Sequence, residues 1–268
     1  MIAGFANNSR GVGVRSHQLI LPSVVCSTHL AKKVADEVGA ITFAHQHGCG
    51  IIGPDVAGVN DYFVALAGHP NVQSTLVLGL GCETLQGNEV TDSIAAKYPE
   101  TKYVVIQDSA GMAGALDSSI TTARDLRTEP ERAPLTTLRV GIEGFPSSNR
   151  SQELIDVLHA KGFNVTIANT FKESSKNFVE LVREKCHVIL SFPDANQPPI
   201  GIPLIPVITI PNPDSPLHQA LADDFDCVPN IPSNDVPAKI IAVANGEMTK
   251  SEVHNVGNIL VPRMVRSV

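Results

Sequence analysis

No apolar run in this 268-residue sequence approaches the roughly 18 residues of a membrane-crossing helix. A basic excess is also missing. The formal charge is −7, which argues against a general nucleic-acid or anionic-membrane binder, since either partner calls for a positive face. The opening Met1-Ile2-Ala3-Gly4-Phe5 lacks the basic-then-apolar order of a secretory signal, so the expected compartment is the cytoplasm. Gly79-Leu80-Gly81 is not continued into a full Gly-x-Gly-x-x-Gly, so no nucleotide cofactor is expected. The cysteines number five, an odd count and a poor basis for a disulfide framework in a reducing compartment. The plain expectation for them is small buried thiols. No clear internal sequence repeat is visible.

What is present is ordinary globular composition, with 43% apolar and 18% charged residues. Apolar runs alternate with amphipathic stretches. Strands are expected at 19–25, 40–44, 75–80 and 103–107, with helices at 28–38, 54–66 and 89–97 between them. Leu30, Val34 and Val38 recur every fourth residue, and Gly39 supplies a helix stop. Residues 112–136 look less regular, and the charged, proline-bearing stretch from Arg127 to Pro134 reads as an exposed connection. Strands then recur at 138–142, 165–168, 187–192 and 203–210, with helices at 151–160, 171–185 and 236–244. Strands separated by helices indicate parallel β-α-β units. The expectation is an α/β protein of two Rossmann-like parallel-sheet halves with flanking helices: a first half at 1–126, a connection at 127–137, and a second half at 138–268.

Three short segments carry the chemistry, each at a predicted strand end, where ligands gather in open parallel sheets. Pro22-Ser23-Val24-Val25-Cys26-Ser27-Thr28 opens a helix that Ser27 or Thr28 can cap. His45-Gln46-His47-Gly48-Cys49-Gly50 puts two imidazoles and a thiol within five residues, all ligands suited to iron or zinc. Gly79-Leu80-Gly81-Cys82-Glu83 adds a further thiol and a carboxylate able to act as a base. Its Gly-x-Gly fits a tight turn as well as a nucleotide loop. Asp108 follows the next strand and is a polar candidate or a helix cap. Arg10 and Arg15, set around Gly11 and Gly13, form a possible carboxylate clamp, or else a solvated arm. In the second half, Asp194 to Pro199 follows a strand end and could line the same cleft. His187 lies in an apolar run and reads as a satisfied buried histidine, and Asp223-Asp224 as a solvated turn.

Taken in order, these segments resemble the altronate/galactarate dehydratase family, which also includes the large subunit of sulfolactate sulfo-lyase. The matching words are Arg10 to Arg15, Pro22-Ser23-Val24 with Cys26-Ser27, His45 with Gly48-Cys49-Gly50, His69-Pro70-Asn71-Val72, Leu78 to Glu83 with Gln86, and Gly246 to Glu252. The resemblance implies an iron-assisted lyase that removes water from a small hydroxylated carboxylate. It makes Cys26, His45, Cys49 and Cys82 the metal candidates, with an iron–sulfur cluster on the thiols as a variant. Glu83, joined by the neighbouring His47 that is not part of the family pattern, becomes the catalytic pair. Arg10, Arg15, Ser27 and Asp108 become the substrate-binding set. The sequence departs from the family where Ser16 follows Arg15 in place of asparagine. It departs again where Gly144-Phe145-Pro146-Ser147-Ser148 replaces a Cys-Gly-Gly-Ser-Asp element. The family's small β-clip domain is not found in these residues, so a separate β-clip subunit is an expected partner, alongside self-association into a homo-oligomer. The rival expectations are a non-catalytic sugar-acid-binding relative and a carbon–sulfur lyase subunit.

Overall fold

The computed structural model describes residues 2–144 and 149–263. Ten strands and eight α-helices appear among them, in the order β1 (Ile2–Ala6), β2 (Val12–Gly13), β3 (His17–Pro22), α1 (Thr28–Val38), α2 (Pro54–Ala67), β4 (Val72–Gly79), α3 (Gly87–Ala95), β5 (Thr101–Val105), α4 (Gly111–Leu126), β6 (Glu131–Leu135), β7 (Arg139–Glu143), α5 (Asn149–Ala160), β8 (Asn164–Ala168), α6 (Ser174–Arg183), β9 (Val188–Ser191), β10 (Val207–Thr209), α7 (Val236–Ala244) and α8 (Lys250–Val253). The fold is α/β. None of these helices is long and apolar enough to cross a membrane.

The chain divides into two compact units. The first comprises Ala6–Gly11, Ser16–Glu131 and Ile259–Val268; the second comprises Met1–Phe5, Val12–Arg15 and Arg132–Asn258. The expected contiguous halves are therefore interleaved at their ends. The cause is local: β1 and β2 pair with β6 in a three-stranded sheet of order β2-β1-β6. That sheet also accounts for the stretch expected to be an exposed connection, which folds as β6. Pro134 is tolerated there because β6 is an edge strand.

In the first unit, β3, β4 and β5 form a parallel sheet in that order. Its apolar face packs Ile20, Leu76 and Leu78 against Leu30, Ala31 and Val34 of α1, and against Ala115 and Ala123 of α4. Helix α4 replaces the irregular stretch read at 112–136. Its buried positions are Ala115, Ser119 and Ala123, small residues at helical spacing that allow close approach to the core but give a weak apolar signal. The expected strand at 40–44 shrinks to one bridge between Leu19 and Ile41. Thr42 Oγ1 donates to the Ile20 carbonyl at 2.8 Å, occupying an acceptor that a continuing ladder would need. Gly39 ends α1 in the left-handed region at φ 64°.

In the second unit the parallel sheet has the order β10-β9-β7-β8. Val140, Ile142, Val188, Leu190 and Ile208 form its core with Leu154 and Leu158 of α5 and Ile240 and Val243 of α7. Helix α8 carries a complete capping box between Thr249 and Glu252. Residues 145–148, where the sequence departs from the family element, lie outside the described residues.

Candidate functional site

The three chemistry-bearing segments meet at the carboxyl ends of β3 and β4 in the first unit. Val25 N–H donates to the His47 carbonyl at 2.9 Å, tying the first segment to the second. Ser23 Oγ donates to Glu83 Oε1 at 2.9 Å, tying the first to the third. Thr84 Oγ1 donates to the Cys49 carbonyl at 2.6 Å, and Cys49 Sγ lies 3.9 Å from the Cys82 carbonyl, joining the second to the third.

His45 is buried, packed edge-on to Phe63 and stacked with Phe43. Its Nδ1 accepts the His47 backbone N–H at 3.0 Å. In the neutral ring the proton is therefore on Nε2. Nε2 is buried without a hydrogen-bond partner among the described residues. Burial, followed by the neighbouring His47 ring, pushes the His45 pKa down to about 3. This histidine is thus neutral at physiological pH, a donor in search of an acceptor.

The partly buried His47 has the complementary arrangement. Its Nε2 lies 2.9 Å from the Val261 carbonyl, which can only accept. That leaves the lone pair of a neutral ring on Nδ1. The segment at 259–263 therefore belongs to this site, and no local motif announces it. Gln46 fastens it by donating to the Ile259 carbonyl at 3.0 Å and accepting from Val261 N–H at 2.9 Å. Arg263 also reaches this loop: its Nη1 would stand 3.8 Å from a Cβ on Gly50, and its Nε lies 3.4 Å from Asp55.

Glu83 is buried with both oxygens engaged, Oε1 by Ser23 and Oε2 by the Gly81 N–H at 2.6 Å. The glycine pair is explained by the same packing. A Cβ on Gly79 would lie 2.5 Å from the Tyr103 hydroxyl and 2.6 Å from Glu83 Oε1. The protein's own side chains fill the space over this turn, so it is a tight turn rather than a nucleotide loop. Tyr103 was not among the sequence candidates. Burial first, then Glu83 and Asp108, pushes its pKa up to about 12, so it keeps its proton.

The remaining candidates are placed as follows. Asp108 is exposed in the turn after β5. Ser27 occupies the N-cap position of α1, but its hydroxyl donates back to the Val24 carbonyl, and no side chain caps the helix. Thr28 instead accepts the His45 N–H at 3.2 Å. The two arginines are bound within the fold. Arg10 is buried, donating to the Ala67 and Gln73 carbonyls and to Glu100, with its guanidinium over the Tyr98 ring. Arg15, in the second unit, forks onto both oxygens of Glu252 and reaches the Val243 and Glu247 carbonyls. Neither forms an open clamp.

Cys26, Cys49 and Cys82 are free and exposed, whereas His45 lies inside. Among the described residues no three His, Cys, Asp or Glu side chains are placed to hold a metal ion. The four expected ligands, as they stand, do not fit a shared iron or cluster.

A family model described as "D-galactarate dehydratase/Altronate hydrolase, second domain" matches residues 4–130. Those residues belong to the D-galactarate dehydratase/altronate hydrolase family. All three converging segments fall within this second domain of the family. Altronate dehydratase of Escherichia coli (strain K12) is 29% identical over 174 residues, covering 59% of this chain and 35% of that protein. Altronate dehydratase of Bacillus subtilis (strain 168) is 28% identical over 157 residues, covering 52% of this chain and 31% of that protein. The aligned part thus spans about a third of the length of these curated relatives.

Proposed function

We propose that this chain takes part in eliminating water from a hydroxylated sugar acid, with the reacting groups in the first unit. The observation that carries this reading is the convergence of the three segments at one strand edge, with two histidines whose hydrogen bonds select complementary tautomers. Dehydration of a 2,3-dihydroxy acid needs a base for the proton on C2 and a donor for the hydroxyl leaving C3. The enol left behind takes a proton at C3 and becomes a 2-keto-3-deoxy acid, so one water is lost overall. His47 Nδ1 is the base in this reading. The His45 Nε2–H hydrogen-bonds the departing oxygen, which takes the proton that His47 removed and leaves as water, and Arg263 supplies positive charge for the carboxylate. Glu83, with both oxygens held, positions the Gly79–Gly81 turn rather than taking the proton.

The names of the relatives make altronate the first substrate to try. The test is 2-keto-3-deoxy acid formation by the full chain on altronate and galactarate, with His47→Gln and His45→Gln beside it, and calorimetric binding of both acids. Loss of about 100-fold or more in kcat for His47→Gln, with sugar-acid binding retained, supports the assignment. Absence of both turnover and binding of either acid by the wild-type chain would refute it.

A further inference from the structure

The second unit holds a cavity of about 560 Å³ that belongs to neither the three segments nor the matched second domain. It opens beyond the carboxyl ends of three neighbouring strands. Gly144 follows β7, Phe192 to Asp194 follow β9, and Ile210 to Asp214 follow β10. From β7 the chain lays β8 on one side and β9 on the other, so the crevice lies where strand order reverses. In open parallel sheets that crevice is where ligands bind. The floor is tightly built: Gly144 has φ 67°, and a Cβ there would stand 2.2 Å from the Phe192 carbonyl oxygen. The volume lies within the usual range of small-molecule sites, roughly 300–1,000 Å³.

The lining has two characters. Leu154, Phe192, Ile210 and Val236 form an apolar wall able to take a flat ring system. Asp194, Asn212, Asp214 and Ser233 supply hydrogen-bonding groups. No lysine, arginine or histidine is among the described lining residues. Two carboxylates, with no cation among the described lining residues, disfavour phosphate and sugar acids and accept hydrogen bonds from hydroxyl groups. An apolar face beside these groups would stay uncovered by a small ammonium ion or a simple polyol. We infer that this cavity binds a nucleoside, its base against Phe192 and Leu154 and its vicinal diol on Asp194. The proposal uses none of the groups assigned to dehydration, and the two sets of residues belong to different units.

The test is isothermal titration of the full chain with adenosine and uridine, with galactarate, inorganic phosphate and spermidine as comparison ligands. Asp194→Ala, Leu154→Trp and His47→Gln are titrated in parallel, each checked for an unchanged circular dichroism melt. The expected result is saturable one-to-one nucleoside binding. It weakens about tenfold or more in Asp194→Ala, as loss of a hydrogen bond to a charged acceptor implies. It is abolished in Leu154→Trp and unchanged in His47→Gln. No nucleoside binding, binding indifferent to both cavity variants, or tighter binding of the anions or of spermidine would overturn the proposal.

Discussion

His45 in the first unit and His187 in the second are both held neutral by burial, and the two are bound differently. His187 in the second unit accepts the Arg139 N–H on Nδ1 at 3.0 Å and has Nε2 3.2 Å from the Val12 carbonyl, so both ring nitrogens are used. His45 in the first unit uses Nδ1 alone, and its Nε2 has no partner among the described residues. Burial pushes both pKa values down, His45 to about 3 and His187 to about 4. The depressed pKa therefore does not separate a functional histidine from a structural one; the unspent donor does. An unsatisfied buried N–H costs on the order of 1–3 kcal/mol, a cost that a ligand's acceptor would relieve.

The largest expected effect tests that contrast directly. His45→Gln and His47→Gln should lower sugar-acid turnover by about 100-fold or more, whereas His187→Gln should leave turnover within about twofold. In thermal melts the order reverses. His187→Ala strands the Arg139 N–H and opens a cavity, for a loss of about 2–4 kcal/mol, whereas His45→Gln loses less. Equal effects of the two histidines on both readouts would erase the distinction.

Next in size is the acid response. Both histidines have folded pKa values below the ordinary value of 6.5. The unfolded chain therefore binds more protons than the folded one once pH falls below about 6.5. Stability should drop by about 1.4 kcal/mol per pH unit for each histidine, for His187 down to about pH 4 and for His45 further, to about pH 3. Urea titrations at half-unit steps measure the slope, and either single glutamine variant should flatten it by one proton.

A smaller effect is expected at Gly79. Alanine there must displace Tyr103 or Glu83, costing about 1–3 kcal/mol of stability. Turnover should fall with it if the turn positions the site.

The smallest effect concerns Glu143, a fully buried carboxyl at the end of β7 that accepts from Ser191 Oγ. Burial pushes its pKa up against the opposing pull of Ser191, Ser174 and Asn177. With a raised folded pKa, its favourable contribution is present at low pH and is lost as pH climbs through the folded value. Glu143→Gln should therefore raise the melting temperature by a few degrees at pH 8 and have little effect at pH 4.

Much of the α/β order was legible because periodic apolar residues report burial directly, as Leu30, Val34 and Val38 do for α1. Helix α4 was not, since Ala115, Ser119 and Ala123 pack through smallness rather than hydrophobicity. The meeting of three segments followed from placing each at a strand end. The fates of Arg10 and Arg15 did not, because an arginine among glycines does not announce that its partners are Glu100 and Glu252. The link from His47 to Val261 spans more than two hundred residues and leaves no local pattern. The thiols show the limit of composition: Cys26, Cys49 and Cys82 share a neighbourhood without sharing a coordination geometry with His45.

The most direct test of the central claim, that His47 removes the proton beside the carboxylate, is dehydration of altronate in heavy water followed by NMR. The wild-type chain should yield a 2-keto-3-deoxy acid carrying one solvent deuterium at C3, and His47→Gln should form product at least about 100-fold more slowly. Undiminished product formation by His47→Gln would contradict the account.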